Sequence, residues 1–334
     1  MTKLFSLCLL SLMLFCALIP SKGSAANWVS YDSAISQASR ENKPIALFFT
    51  GSDWCVWCQR LEKESLETQA FDSALQNKIL FVKIDFPRRT QLDPGTTSRN
   101  EELQRKYRIN GFPTIVLIDA NGSQIGVTGY RPGGGKAFAE HLLKMTDDFG
   151  SYKTKMKQME NNATPLSGGE LKQLYRKARE FNKVDDQVKI VQKGLISDRS
   201  DYFGIERYRF LGQEGQIHDK EATSLKKKLL ESDPSNQKLT HFQIACIEFD
   251  AYSDEMEKEN YSPEIALEPL KTYLEKFRGQ DKDNEWRIEM IISQVYNDKG
   301  YNDKAIGHCQ NALNCAPLEH QKDIEKALAE LKKS

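Results

Sequence analysis

The stretch "PIALFFTGSDWCVWCQRLEKE" (Pro44–Glu64) constrains the fold more than any other part of the chain. Ile45–Phe49 is a continuous apolar run, the pattern of a strand buried on both faces of a sheet. Six positions after Phe49, Cys55 and Cys58 stand three apart where a helix is expected to begin and run through "QRLEKESL". A thiol at a helix N-terminus faces unpaired backbone N–H groups and the positive end of the helix dipole. The dipole is worth at most ~2 kcal/mol and one pKa unit costs about 1.4 kcal/mol, so it lowers the first thiol's pKa by roughly one unit. Cys55 is therefore the expected nucleophile. Cys58, one turn further in, is the more buried thiol that can resolve a mixed disulfide.

Around this stretch, residues 27–146 alternate between strand and helix patterns. "YDSAISQASREN" reads as a helix stopped by Lys43-Pro44, and "AFDSALQN" as a second short one. Ile79–Asp85 is another strand and "RNEELQRKY" another helix. Thr114–Asp119, Ala120-Asn121-Gly122 and "SQIGVTG" read as a hairpin through an Asn-Gly turn. "GGKAFAEHLLKM" closes the region as a helix. A βαβ unit followed by ββα makes an α/β sandwich with a mixed central sheet.

The Trp-Cys-x-x-Cys signature, the "GFPT" segment and the hairpin stand in the order of a thioredoxin-fold protein. "GSDWCVWC" is similar to exported bacterial thioredoxin-like proteins of the Dsb kind, and the resemblance covers residues 27–146. It implies that Cys55 attacks, that Cys58 resolves, and that Pro113 is a cis-proline packed beside them. Phe112 would then turn its backbone toward a bound substrate strand, and Trp54 would pack beside the pair; Trp57 is a further candidate contact. Both tryptophans also read as plain core residues. Two departures matter. The buried aspartate that thioredoxins carry six positions before the first cysteine is Phe49 here, so Glu62 or water would have to move protons. Val56-Trp57 supplies no histidine between the cysteines, which favours a reducing or intermediate potential over a strong oxidant. No metal or organic cofactor is implied.

Other readings of the pair are half of a zinc site or an inert structural disulfide. Structural zinc wants four ligands, but no second C-x-x-C or close C-x-x-H is present, and the nearest histidine, His141, lies far along the chain. An inert crosslink has no use for a helix start. Arg88-Arg89, in the loop "FPRRTQLDPGTTS" (Phe86–Ser98), follows a strand expected to run parallel to the one before Cys55. The loop therefore starts at the sheet edge where open α/β sheets place their sites. It reads either as a substrate contact or as a solvated surface loop.

Beyond Met145 the pattern changes. Residues 147–168 are polar with Gly, Pro and Ser near their end and read as a linker; "NAT" at Asn162 matches a glycosylation acceptor too short to carry weight. Residues 169–334 read as almost wholly helical. Tyr296, Gly300, Tyr301, Ala305, Ala312 and Pro317 fall at the spacings of a tetratricopeptide repeat. Ala266, Leu270 and Tyr273 suggest a poorer copy upstream. An all-α domain of helical hairpins resembling that repeat is expected, with an irregular bundle as the other reading. Stacked hairpins present a groove to a protein partner.

Lys3, the apolar run "LFSLCLLSLMLFCALI" and the small residues "SKGSAA" describe a signal peptide over residues 1–26. The run falls short of the roughly 20 apolar residues of a membrane span, so the mature chain is expected to be exported, periplasmic or secreted, with no membrane association after cleavage. Lys+Arg and Asp+Glu both total 47, a balance that gives no pull toward nucleic acid. Cys8 and Cys16 leave with the signal, and Cys246, Cys309 and Cys315 read as buried small apolar residues. The expected activity is thiol–disulfide exchange on protein thiols or disulfides, with a separate redox protein recharging the pair. The competing class is a docking protein whose helical domain recruits a partner and whose thioredoxin-like domain keeps only residual activity.

Overall fold

The structure, a computed structural model, describes residues 28–161, 165–256 and 262–333, without the side chains of 254–256. The residues read as a signal peptide and Asn162 lie outside them. The chain divides into two compact units between Lys157 and Gln158.

In the first unit, α1 (Tyr31–Glu41) leads into β1 (Ile45–Thr50), and the cysteine segment follows as α2 (Val56–Leu61), which ends in a π-helical turn, Glu62–Leu66. Then come α3 (Gln69–Leu75), β2 (Leu80–Asp85), α4 (Pro94–Lys106), β3 (Thr114–Ile118), β4 (Gln124–Thr128) and α5 (Gly134–Asn161), whose last residues, from Gln158, belong to the second unit. The sheet order is β2-β1-β3-β4, with β1 parallel to β2 and antiparallel to β3, which pairs antiparallel with β4. This is the expected mixed sheet. Every residue of β1 is buried, as its unbroken apolar run requires. Alternation along the strand divides its side chains between two layers. Ile45, Leu47 and Phe49 join Val82, Ile84, Val116 and Ile118 beneath Ala34 and Ala38 of α1 and Leu103 of α4. On the opposite layer Phe81 meets Phe71 of α3 edge-on at 5.4 Å, and Phe71 packs on Phe138 of α5 at 6.2 Å.

Local chemistry sets the helix starts. Ser30 and Asp93 accept the backbone N–H groups of Ser33 and Thr96, and Pro94 opens α4 where its missing N–H costs nothing. α4 thus begins inside the segment read as a loop, which ends at Asp93. Most of the segment read as a linker is also helical, because α5 continues to Asn161. Phe149, Tyr152, Met156 and Met159 recur at helical spacing and are buried, and Lys153 reaches Asp119 at 3.2 Å. Polar composition concealed a buried stripe.

The described part of the second unit is helical: α6 (Gly168–Glu180), α7 (Val184–Gly194), α8 (Ser200–Gln213), α9 (Lys220–Ser232), α10 (Thr240–Met256), α11 (Pro263–Phe277), α12 (Lys282–Asp298), α13 (Asn302–Cys315) and α14 (Leu318–Leu331). Successive helices pack as hairpins, with α12 against α13 the most extensive pair. Ala305 and Ala312 are fully buried, and the Ser293 hydroxyl donates to the Ala305 carbonyl at 2.7 Å. Gly300 makes the intervening turn at φ 76°. Tyrosines bridge helices to buried carboxylates: Tyr175 donates to Glu206 at 2.9 Å and Tyr208 to Glu248 at 2.6 Å. Among the described residues no helix is long and apolar enough to cross a membrane.

Candidate active site

Cys55 is the N-cap of α2, and its sulfur accepts the Cys58 backbone N–H at 3.2 Å. The two cysteines form a disulfide with Cα atoms 5.2 Å apart. Cys55 is 6% exposed and Cys58 0%, so an incoming sulfur meets Cys55 first. Val56 and Trp57, between them, face outward at 73% and 52% exposure.

The parallel pairing of β1 with β2 places Thr50 opposite Asp85 and so brings the loop after β2 to the loop before the cysteines. Three consecutive residues tie the two loops together. Ser52 donates its backbone N–H and its hydroxyl to the Asp85 carboxylate, at 2.9 and 2.6 Å. Asp53 accepts the backbone N–H of Arg88 at 3.0 Å and of Arg89 at 2.6 Å, and the Arg88 bond foremost holds its carboxyl below the usual range. Trp54 donates its indole N–H to the Phe86 carbonyl at 2.7 Å, and the Arg88 guanidinium lies 4.0 Å over its ring. Gly51 leaves room for that indole: a Cβ there would lie only 2.3 Å from its nearest ring atom.

Trp54 also meets Phe112 edge-on at 5.7 Å, and Phe112 packs on Phe86 at 5.3 Å. The Phe112–Pro113 bond is cis. Trp54, which precedes Cys55 in the chain, is thus in contact with the residue that carries the cis bond to Pro113. Trp57 belongs to another group. It packs on Tyr130 at 5.2 Å, with the Arg60 guanidinium 5.2 Å from its ring and 5.1 Å from that of Tyr130. Glu64 fixes this group, accepting from the Tyr130 hydroxyl at 2.6 Å and from Arg60 at 2.7 Å. These bonds, Tyr130's first, hold the Glu64 carboxyl low.

Phe49 occupies the position of the absent aspartate within the apolar layer and touches Tyr107 edge-on at 6.4 Å. Glu62, the other candidate for proton transfer, pairs with Lys83 at 2.6 Å. Among the described residues no three His, Cys, Asp or Glu side chains are grouped to hold a metal ion. Asp53, Phe86, Tyr130 and Arg60 were not singled out from sequence as part of the site. Asp53 lies inside the cysteine motif, but the N–H groups that donate to it lie 35 and 36 residues downstream. No local pattern reports such a pairing.

A family profile described as "Thioredoxin-like domain" matches residues 31–146. The "Thioredoxin-related protein DsbJ" of Chlamydia pneumoniae is 30% identical over 309 residues, covering 90% of this chain and 85% of that protein, so the likeness runs through the helical unit as well. The "Disulfide bond reductase DsbH" of the same organism is 39% identical over 121 residues, 36% of this chain and 73% of that protein. A solved structure described as "DsbH Oxidoreductase" aligns with 35% identity and a TM-score of 0.36, covering 38% of this chain and 88% of that one. Sharing sequence with DsbJ along nine-tenths of its length and carrying the cysteine pair on a thioredoxin-like domain, the chain belongs to the thioredoxin-related proteins of the Dsb type, which are thiol–disulfide oxidoreductases.

Proposed function

We propose that the protein is an exported thiol–disulfide oxidoreductase that works as a reductase of protein disulfides through Cys55 and Cys58. The observation that carries this reading is the pair itself, with Cys55, 6% exposed, capping α2 and Cys58 fully buried one turn behind it. In the reduced form the Cys55 thiolate attacks one sulfur of a substrate disulfide; a mixed disulfide forms and one substrate thiolate leaves. Cys58 gives up its proton and attacks the Cys55 sulfur, which releases the second substrate thiolate and closes the Cys55–Cys58 disulfide. Two electrons pass to the substrate, and a separate redox protein must return two to the pair.

Two features support the reducing direction. No histidine lies between the cysteines to stabilise a thiolate, and a relative matching the thioredoxin-like domain is named a disulfide bond reductase. Export rests on the signal-like residues 1–26. The helical unit, with its tetratricopeptide-like spacing around Ala305 and Ala312, would choose which proteins reach the pair. The direct test is the reduction potential of the Cys55–Cys58 couple, set against glutathione. A value near that of thioredoxin, about −270 mV, supports a reductase, and one near that of DsbA, about −120 mV, refutes the direction. Trapping with Cys58→Ser tests the activity itself: mixed disulfides with several proteins mark an oxidoreductase, and none would leave a docking protein.

A further inference from the structure

The clasp between the two loops leaves one charged group unused. Arg88 is exposed, its guanidinium lies 4.0 Å over the Trp54 ring, and among the described residues no carboxylate forms an ion pair with it. Trp54 directly precedes the more exposed cysteine of the pair. We propose that Arg88 is a specificity-determining residue, receiving an acidic side chain of the polypeptide whose disulfide reaches Cys55. The proposal rests on the oxidoreductase reading for the identity of that polypeptide.

What distinguishes Arg88 from an ordinary surface arginine is how it is held. Its backbone N–H is bound by Asp53 at 3.0 and 3.2 Å, and that of Arg89 by the same carboxylate at 2.6 Å. Those oxygens are thus engaged by backbone N–H groups and not by the guanidinium. The platform beneath is fixed as well, by the indole bond to the Phe86 carbonyl at 2.7 Å and by Phe112 against its edge. Phe86, Pro87, Thr90 and Leu92 of the same loop border a cavity of about 650 Å³ reaching to Asn100 of α4. Asp53 is therefore the positioning residue that keeps the cation on its ring. A guanidinium presents a planar fork that matches a carboxylate in two parallel bonds, and stacking on an aromatic face leaves that fork free. A group ordered before binding loses less side-chain freedom when the partner arrives. Arg89, also exposed, adds a second positive charge at the same edge.

The test separates recognition from chemistry. Short peptides with serine in place of cysteine, flanked either by aspartates or by lysines, are titrated into the oxidised protein and followed by tryptophan fluorescence at low salt. The wild type should bind the acidic peptide about five-fold more tightly, the upper range for an exposed ion pair, and the difference should shrink at high salt. Arg88→Ala should abolish the preference, Arg88→Lys should keep part of it, and Asp53→Ala should weaken it by freeing the loop. Equal binding of both peptides by the wild type, or an undiminished preference in Arg88→Ala, overturns the proposal. Reduction of a neutral disulfide peptide is measured in parallel. Its failure alongside an intact acidic preference would sink the oxidoreductase reading and leave the recognition surface standing.

Discussion

At the scale of single residues, burial distinguishes the two cysteines. Cys58 is fully buried, while Cys55 keeps 6% exposure at the helix start, where unpaired N–H groups favour its thiolate. Iodoacetamide applied to the reduced protein near neutral pH should therefore label Cys55 well before Cys58, as peptide mapping would show; the reverse order would overturn the assignment. Gly51 gives a second prediction. A methyl group there collides with the Trp54 indole, which is bonded to Phe86 and cannot move without breaking the clasp. Gly51→Ala should cost about 1–3 kcal/mol, in the range of an overpacked core, and should shift tryptophan emission. An unchanged melting temperature with unchanged emission would show that the indole is free to move. Cys55, Cys58, Trp54 and Phe112–Pro113 were legible from the motif and the family resemblance. Arg88 was legible only as a candidate contact in the loop after β2; its tie to Asp53 was not, because their meeting depends on strand pairing.

At the scale of elements, the second unit is pinned by polar bridges. Glu264, on α11, pairs with Lys271 and with Lys304 of α13 and accepts from the Tyr296 hydroxyl of α12. Lys271 first, and then Lys304, pull its carboxyl from the usual 4.5 down to about 2. A carboxyl lowered on folding contributes stability that is fully present above its unfolded pKa and disappears as pH falls through the folded value. The helical unit should therefore weaken between about pH 4.5 and pH 2 as this bridge is lost. Glu264→Gln should flatten that part of the stability profile in denaturant unfolding at pH 5 and pH 3; an equally steep profile would place the acid sensitivity elsewhere. The α12–α13 hairpin was legible from its small residues. The tyrosine–carboxylate bridges were not, since Glu264 and Tyr296 lie 32 residues apart.

At the scale of the whole molecule, α5 decides where the thioredoxin-like unit can be cut. Residues beyond Met145 still bury Phe149, Tyr152 and Met156, and Lys153 still reaches Asp119. A fragment of residues 28–157 should thus melt several degrees above one ending at 146, because the shorter piece forfeits apolar burial worth roughly 1.5–3 kcal/mol for each large side chain. Equal melting temperatures would show that this stretch of α5 adds nothing to the first unit. The longer fragment, with cysteine pair and clasp intact, should reduce insulin at close to the full-length rate. With Cys58→Ser, it should trap fewer specific partners than the whole chain. The same set of trapped proteins would deny the helical unit any part in substrate choice.

Features carried by neighbours along the chain could be read from the residues alone. An unbroken apolar run pointed to a strand covered on both faces, and the cysteine pair just after it to a helix start with the second thiol the more deeply buried. Small residues at helical spacing had to lie where two helices approach. Tertiary structure alone decided the rest. The polar residues 147–161 became helix because four spaced apolar side chains found a buried face, which composition cannot report. The loop after β2, already expected at this sheet edge, is tied to the cysteine segment because Thr50 pairs with Asp85, setting Asp53 against Arg88 across 35 residues. Hydrogen bonds and ring contacts are short-range forces, so which partners they join is fixed only when the sheet has brought distant segments within a few ångströms.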